Sequence, residues 1–391
     1  MQLSGRVARI GESATLRVSR RASELRAAGV DVVDFGAGEP DFDSPVVAVE
    51  AARRALADGF TRYTPTAGIP ALRRALAERY ARDFGAPWSS ADTLVTVGGK
   101  GALFEVALAL FEEGQEVVLH TPAWVSFAEQ IRFAGAEVVA VATDGADGFT
   151  IHAERLIAAI GPRTRAVILN SPCNPTGGTI SAAELRRLVE ECARRGVLVI
   201  SDETYERFVY GGAPPVSAAA LATEFPDTVV LVGSFSKTYA MTGWRLGYLL
   251  GPRPLVEAAA CIQGHATSNP TSFAMVGALA ALEGAESDVR AMIAEYEARR
   301  DLLVDRLNSI AGVSCLAPRG AFYVFPDVSA SYREGRSGSL EFAERLLEEE
   351  AVAVVAGEAF GSDRHVRISF ACSRAALDEG VRRIERFLAR R

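Results

Sequence analysis

Residues 166–177 read AVILNSPCNPTG, residues 197–205 read VLVISDETY and residues 228–237 read TVVLVGSFSK. Each stretch opens on an unbroken aliphatic run and stops abruptly in polar and turn-forming residues. A run without polar alternation predicts a strand covered on both faces, as in a parallel sheet flanked by helices. Outward from this block the pattern repeats. Strands are expected at 94–97, 116–120, 137–141 and 246–250, and helices at 102–111, 125–134 and 181–195. The chain therefore reads as α/β, with a mostly parallel seven-stranded sheet in a large domain. Beyond 254 helices dominate to about 310, including 288–307. Strands and helices then alternate again at 320–326, 339–349, 351–355, 365–370 and 375–390, as in a smaller α+β C-terminal domain. The expected division is an N-terminal arm at 1–40 packing on the small domain, a large domain at 41–285 and a small domain at 286–391.

The chain has 391 residues, a formal net charge of −7, 49% hydrophobic and 23% charged residues. That length suits two domains, and the hydrophobic content is too high for a disordered chain. The acidic balance argues against a nucleic-acid partner, which requires a basic face. No apolar stretch approaches the roughly 18 residues of a membrane span, and residues 1–21 lack the apolar block of a secretory signal, so a cytoplasmic location is expected. Cys173, Cys192, Cys261, Cys315 and Cys372 are scattered and odd in number, which argues against a disulfide framework. The four histidines show no ligand spacing, and no protein-held metal is expected. Of 42 basic residues only Lys100 and Lys237 are lysines. A genome bias toward arginine accounts for the count. Yet lysine alone can lose its proton and act as a nucleophile, so both positions merit attention.

In an open α/β sheet, ligands bind beyond the carboxyl ends of the strands. There the sequence sets Gly99 and Lys100, Trp124, Asn174, Asp202 with Tyr205, and then Ser234, Ser236, Lys237 and Arg245. Singly, each has a plainer reading as a turn, a helix cap, a core aromatic or a solvated charge. Jointly they offer a stacking ring, an amide, a carboxylate, a phenol, hydroxyls, a guanidinium and an amine. That inventory matches the needs of pyridoxal 5′-phosphate: an amine to form an imine, a carboxylate for the pyridinium nitrogen and a cup for the phosphate.

The motifs GAGEPDF, YTPTAGIPALR, TVGGKGAL, NSPCNPTG, SDETY, SFSKTYAMTGWRLGY and HVRISF follow one another along nearly the whole chain. In this order they resemble the class I/II pyridoxal-phosphate-dependent aminotransferases of fold type I, nearest the bacterial aspartate aminotransferase branch. The resemblance implies roles. Lys237 is the imine-forming lysine and proton shuttle, and Asp202 pairs with the ring nitrogen. Asn174 and Tyr205 hold the phenolic oxygen, and Trp124 stacks on the ring. Gly99, Lys100, Ser234, Ser236 and Arg245 form the phosphate cup. Arg367 grips the substrate carboxylate, which Gly38 lets the backbone approach. Tyr63 reaches the cofactor of a partner subunit, so a homodimer with shared active sites is implied. The chemistry is transfer of an amino group between amino acids and 2-oxo acids, by ping-pong kinetics.

In this branch a lysine at position 100 goes with acidic substrates such as aspartate or glutamate. The branch usually carries a basic residue and proline before Ser-Ala-Thr, where this chain has Gly11-Glu12. Loss of that basic group argues against a bulky dicarboxylate such as prephenate. Aromatic, alanine-type or prephenate substrates, or a lyase or synthase on the same fold, are the alternatives, because the cofactor motifs serve all of them. A regulator using the fold as a sensor would need a DNA-binding module, for which residues 1–30 are too short.

Overall fold

The computed structural model describes residues 4–11, 14–332 and 338–390. Glu12 and Ser13, part of the unusual N-terminal stretch, lie outside them. Among the described residues no helix is long and apolar enough to cross a membrane.

Seven strands form the main sheet: β1 (Thr93–Thr96), β2 (Glu116–Thr121), β3 (Glu137–Ala142), β4 (Thr164–Asn170), β5 (Leu198–Asp202), β6 (Val229–Ser234) and β7 (Gly247–Leu250). Their order is β1-β7-β6-β5-β4-β2-β3. Strands β2 to β6 run parallel, and β7 runs antiparallel to both β1 and β6. The reversal has a simple cause. The link from β6 to β7 holds only short helical turns, Phe235–Thr238 and Thr242–Trp244, too little for a crossover back to the start of the sheet.

The central strands are buried on both faces, as their continuous aliphatic runs require. One core lies between the sheet and helices such as Pro70–Phe84 and Ala182–Arg195; another fills the opposite face beneath Gly98–Leu110 and Arg253–Ala266. A third core gathers Phe35, Tyr296, Phe322, Phe370 and Phe387 around a small antiparallel sheet. That sheet contains β8 (Tyr323–Val324), β9 (Val355–Ala356) and β10 (Val366–Ser369), in the order β9-β10-β8. The helix Glu286–Asn308 links the two regions, with Val289 in the first core and Met292 and Tyr296 in the third. We propose this helix as the domain link.

The N-terminal segment touches both regions. In the helix Ala14–Ala27, Ala22 packs with Val32, Leu347 and Ala353. Val33–Asp34 pairs with Val352–Ala353. The N–H of Gly11 instead donates to Glu129, 2.8 Å away, on the helix Val125–Ala134 of the large region.

Two glycines let β7 meet the start of the helix Gly98–Leu110. A Cβ at Gly247 would lie 2.2 Å from the Gly99 nitrogen, so no other residue fits without displacing backbone. Gly98 has φ of 74°, and a Cβ there would lie 2.5 Å from a terminal nitrogen of Arg245. The sequence of this turn therefore brings a helix N-terminus and a guanidinium to the same edge of the sheet.

Candidate active site

Beyond the carboxyl ends of β4, β5 and β6 lies a cavity of about 300 Å³. Strand ends and their following turns supply Asn174, Asp202, Tyr205, Ser234, Ser236 and Lys237. Gly99, Lys100, Trp124 and Arg245 border it from the helix starts and the turn before β7. Gly38 and, from β10, Arg367 complete it. Of the residues singled out from the sequence, Tyr63 alone lies elsewhere. It is 88% exposed.

Lys237 sits in the short helical turn Phe235–Thr238, which is entered through the side chain of Ser234 accepting from the Ser236 N–H. Its ammonium donates to the carbonyl of Gly38. Burial, followed among the lowering causes by Arg367, Arg245 and Lys100, brings its pKa down to about 8, against the opposing pull of Glu39. An amine held there sheds its proton far more readily than a surface lysine. Asp202, at the end of β5, is buried, and burial raises its pKa; the N–H of Thr204, at 3.0 Å, and the charge of Lys237 oppose that rise. A carboxylate so poorly solvated is suited to a cationic partner in the cavity.

Arg367 is held on several sides. Nη1 donates to Asn174 Oδ1 at 3.0 Å, and Nη2 donates to the Gly36 carbonyl at 2.8 Å. Its guanidinium carbon lies 4.5 Å from the ring centroid of Tyr323 and 5.2 Å from that of Phe360. Its buried Nε has no partner among the described residues. The phenol oxygens of Tyr205 and Tyr323 are 2.8 Å apart, and burial raises both pKa values, so both stay neutral. The Lys100 ammonium stands 4.9 Å from the Trp124 ring centroid.

Sequence reasoning missed Tyr323 and Asn170. Tyr323 lines the cavity, bonds Tyr205 and packs on Arg367, but comes from a strand with no polar motif. Asn170 receives no role from its motif, yet its Nδ2 donates to the Asp202 carbonyl and its Oδ1 accepts from the Asn174 N–H. One side chain thus fixes the spacing of two others. Its own N–H donates to Nε2 of His120, whose pKa burial lowers to about 4. That ring is neutral at pH 7 and serves as an acceptor. The signal for Asn170 was its position as the last residue of a buried strand.

The donor set fits pyridoxal 5′-phosphate. Lys237 is the amine and Asp202 the buried carboxylate. At Gly99 a Cβ would lie 3.3 Å from both the Gly233 carbonyl and the Ser234 side chain, so a larger residue would crowd this cradle. The N–H groups at the start of Gly98–Leu110, together with Ser234, Ser236 and Arg245, make that end of the cavity anion-binding.

The known proteins agree with this geometry. The model of the family described as aminotransferase class I and II matches residues 30–384. An aspartate aminotransferase of Geobacillus stearothermophilus is 44% identical over 392 aligned residues, covering 100% of both chains. A probable aspartate/prephenate aminotransferase of Aquifex aeolicus is also 44% identical, over 99% of this chain and 98% of that one. The structure of the Thermus thermophilus aspartate aminotransferase with maleate superposes with a TM-score of 0.94 at 42% identity, over 99% of each chain. The architecture is thus fold type I, and enzymes of this kind depend on pyridoxal 5′-phosphate. With its lysine, carboxylate and anion cradle at one edge of such a sheet, and with these relatives along its full length, the chain belongs to the class I and II aminotransferases.

Proposed function

We propose that this aminotransferase takes the amino group of an acidic amino acid, aspartate or glutamate, and passes it to a 2-oxo acid. The observation that carries the substrate class is the pairing of Arg367 and Lys100 on one cavity that also holds Lys237. Arg367 is fixed by Asn174, Gly36 and two aromatic rings, and so is preorganised for the α-carboxylate. Lys100 supplies a second cation, which only a dicarboxylic substrate uses. The Thermus relative was solved with maleate, a dicarboxylate, which supports the same reading.

In this reading the bound cofactor supplies an electron sink and carries the amino group between two half-reactions. Asp202 holds the proton on the ring nitrogen. Asn174 and the neutral Tyr205 hydrogen-bond the ring oxygen, while Trp124 covers the ring face. Ser234, Ser236 and Arg245, with the backbone N–H groups of Gly99 and Lys100, hold the phosphate. Lys237 moves the substrate α-proton, and Gly38 leaves room beside the carboxylate. A cytoplasmic location goes with five unpaired cysteines.

Lys100→Ala tests the substrate class. Loss of a charge-assisted contact of roughly 1.5–3 kcal/mol lowers kcat/KM for aspartate about 10- to 100-fold. An alanine or phenylalanine donor should change by less than about threefold, since neither presents a second carboxylate. Equal losses across donors, measured with 2-oxoglutarate as acceptor, would remove Lys100 from the substrate site.

A homodimer is part of the same reading. Val46, at 75% exposure, lines an open groove with Val47 and Phe60, and Tyr63 is 88% exposed. Thr64 Oγ1, next to Tyr63, is buried without a partner among the described residues. We expect the holoenzyme to sediment at twice the chain mass, and Tyr63→Ala to weaken cofactor retention in the dimer. A monomer with full activity would contradict both.

A further inference from the structure

A second cavity, of about 550 Å³, lies away from the first, between the loop 144–149 and the segments that carry Leu316, Asp327 and His365. None of its residues takes part in the transfer chemistry above. One side is apolar: Phe149 and Phe325 are buried, and the Phe325 ring stacks on His365 at 4.9 Å between centroids and 6° between planes. Phe149 meets the same imidazole edge-on at 5.3 Å. The other side is charged.

The polar groups are specific. Asp327 accepts from the N–H and hydroxyl of Ser329, and from Nε and Nη2 of Arg364. Nη1 of Arg364 has no partner among the described residues, and its side chain is 70% exposed. Asp144 accepts at Oδ1 from the Ala146 N–H, leaving Oδ2 without a partner among the described residues. His365 is buried, with Nδ1 on the Ser362 hydroxyl at 2.8 Å. Its Nε2 has no partner among the described residues and points at Gly145, where a Cβ would lie 3.4 Å away. Burial lowers the pKa of His365, so the ring is neutral.

We propose that this cavity is a second ligand site, which takes a free amino acid with an apolar or aromatic side chain. Asp327 and Arg364 neutralise one another, so Asp144 leaves one negative charge over. That charge and the open Nε2 of His365 receive an ammonium group. Nη1 of Arg364 receives a carboxylate. Phe149, Phe325 and Leu316 receive the side chain. One anion, one cation and one apolar wall in a single cavity offer a partner to each of the three parts of an amino acid, and the volume admits one. A simple carboxylate would leave Asp144 unanswered. Packed side chains connect it to the first cavity: Phe325 lies 6.2 Å from Phe360, which in turn packs on Arg367. This inference goes beyond the transfer reaction and does not depend on its substrate.

The probe is α-methyl-para-fluorophenylalanine, whose quaternary α-carbon has no proton to lose. Fluorine NMR of the holoenzyme with saturating maleate in the active site should show the probe line broadening at low millimolar concentration. Ser314→Phe fills the mouth of the cavity, and Arg364→Ala removes its cation from the surface. Each should weaken the probe about tenfold or more, with unchanged aspartate turnover. Lys100→Ala, in the first cavity, should leave the probe unmoved. No binding with maleate present, or binding indifferent to both Ser314→Phe and Arg364→Ala, would overturn the site. The exposed Arg364 keeps the test available should the bulkier change at Ser314 disturb folding.

Discussion

Lys237→Ala is expected to lower turnover by at least about 10⁴-fold and to remove the long-wavelength absorbance of covalently held cofactor. The two losses have one origin. The amine that attaches the cofactor is also the group placed to move the substrate proton. Lys237→Arg separates charge from nucleophilicity. It restores a cation among Glu39, Arg245 and Arg367, yet a guanidinium neither attacks the cofactor aldehyde nor gives up a proton, so it should remain inactive. Substantial transamination by either variant would displace Lys237 from its role. The pH dependence follows from the same surroundings. Lys237 has its pKa lowered from 10.5 to about 8, so the ammonium persists below that pH and the free amine prevails above it. The rate at which apoenzyme takes up cofactor should therefore rise with pH through about 8 and then level off. A midpoint near 10.5 would mean that burial and the three neighbouring cations do not govern this amine.

Much of this site was legible in the sequence because its parts are local. The strand before Asn174, the strand before Asp202 and the strand before Lys237 are each a continuous aliphatic run, and each ends where the chemistry begins. Those runs are legible because a strand buried on both faces tolerates no polar residue until it leaves the sheet. The missing parts are the long-range ones. Tyr323 meets Tyr205 across 118 residues, and Arg367 meets the Gly36 carbonyl across 331. Neither contact leaves a periodicity or spacing to read. The direction of β7 was also hidden: Leu249 and Leu250 look the same in a parallel or an antiparallel strand, and only the shortness of the link distinguishes them. The second cavity was invisible for a further reason. Asp327 and His365 meet in an isolated bridge across 38 residues, Asp144 comes from a distant loop, and the motif HVRISF that contains His365 points to Arg367 instead.

Asp202→Asn should show how the fold sets stability against chemistry. An amide is close in shape to the carboxylate and still accepts from the Thr204 N–H at 3.0 Å, so the turn after β5 should survive. Lys237, Ser234, Ser236 and Arg245 are untouched, and the cofactor should still be held covalently, with its absorbance retained. Turnover should nevertheless fall about 10³-fold, the size of effect expected when one preorganised charge is removed from a buried site. The neutral amide cannot keep a proton on the ring nitrogen. A single-turnover half-reaction with aspartate, followed by the cofactor absorbance, locates the loss in the proton-transfer step rather than in binding. The apoenzyme should respond in the opposite sense. In the wild type, burial raises the pKa of Asp202, which means that the fold bears a desolvation cost for this charge that Lys237 and the Thr204 N–H offset only in part. Its folded pKa lies above the unfolded value, so its charged form disfavours folding as pH rises through that range. Replacing it relieves the cost, and apo Asp202→Asn should melt at the same temperature as wild-type apoenzyme or higher at pH 7. With cofactor bound the order should reverse, because the wild-type carboxylate then has its cation. A variant that is destabilised in the apo form and fully active in the holo form would assign Asp202 to structure alone.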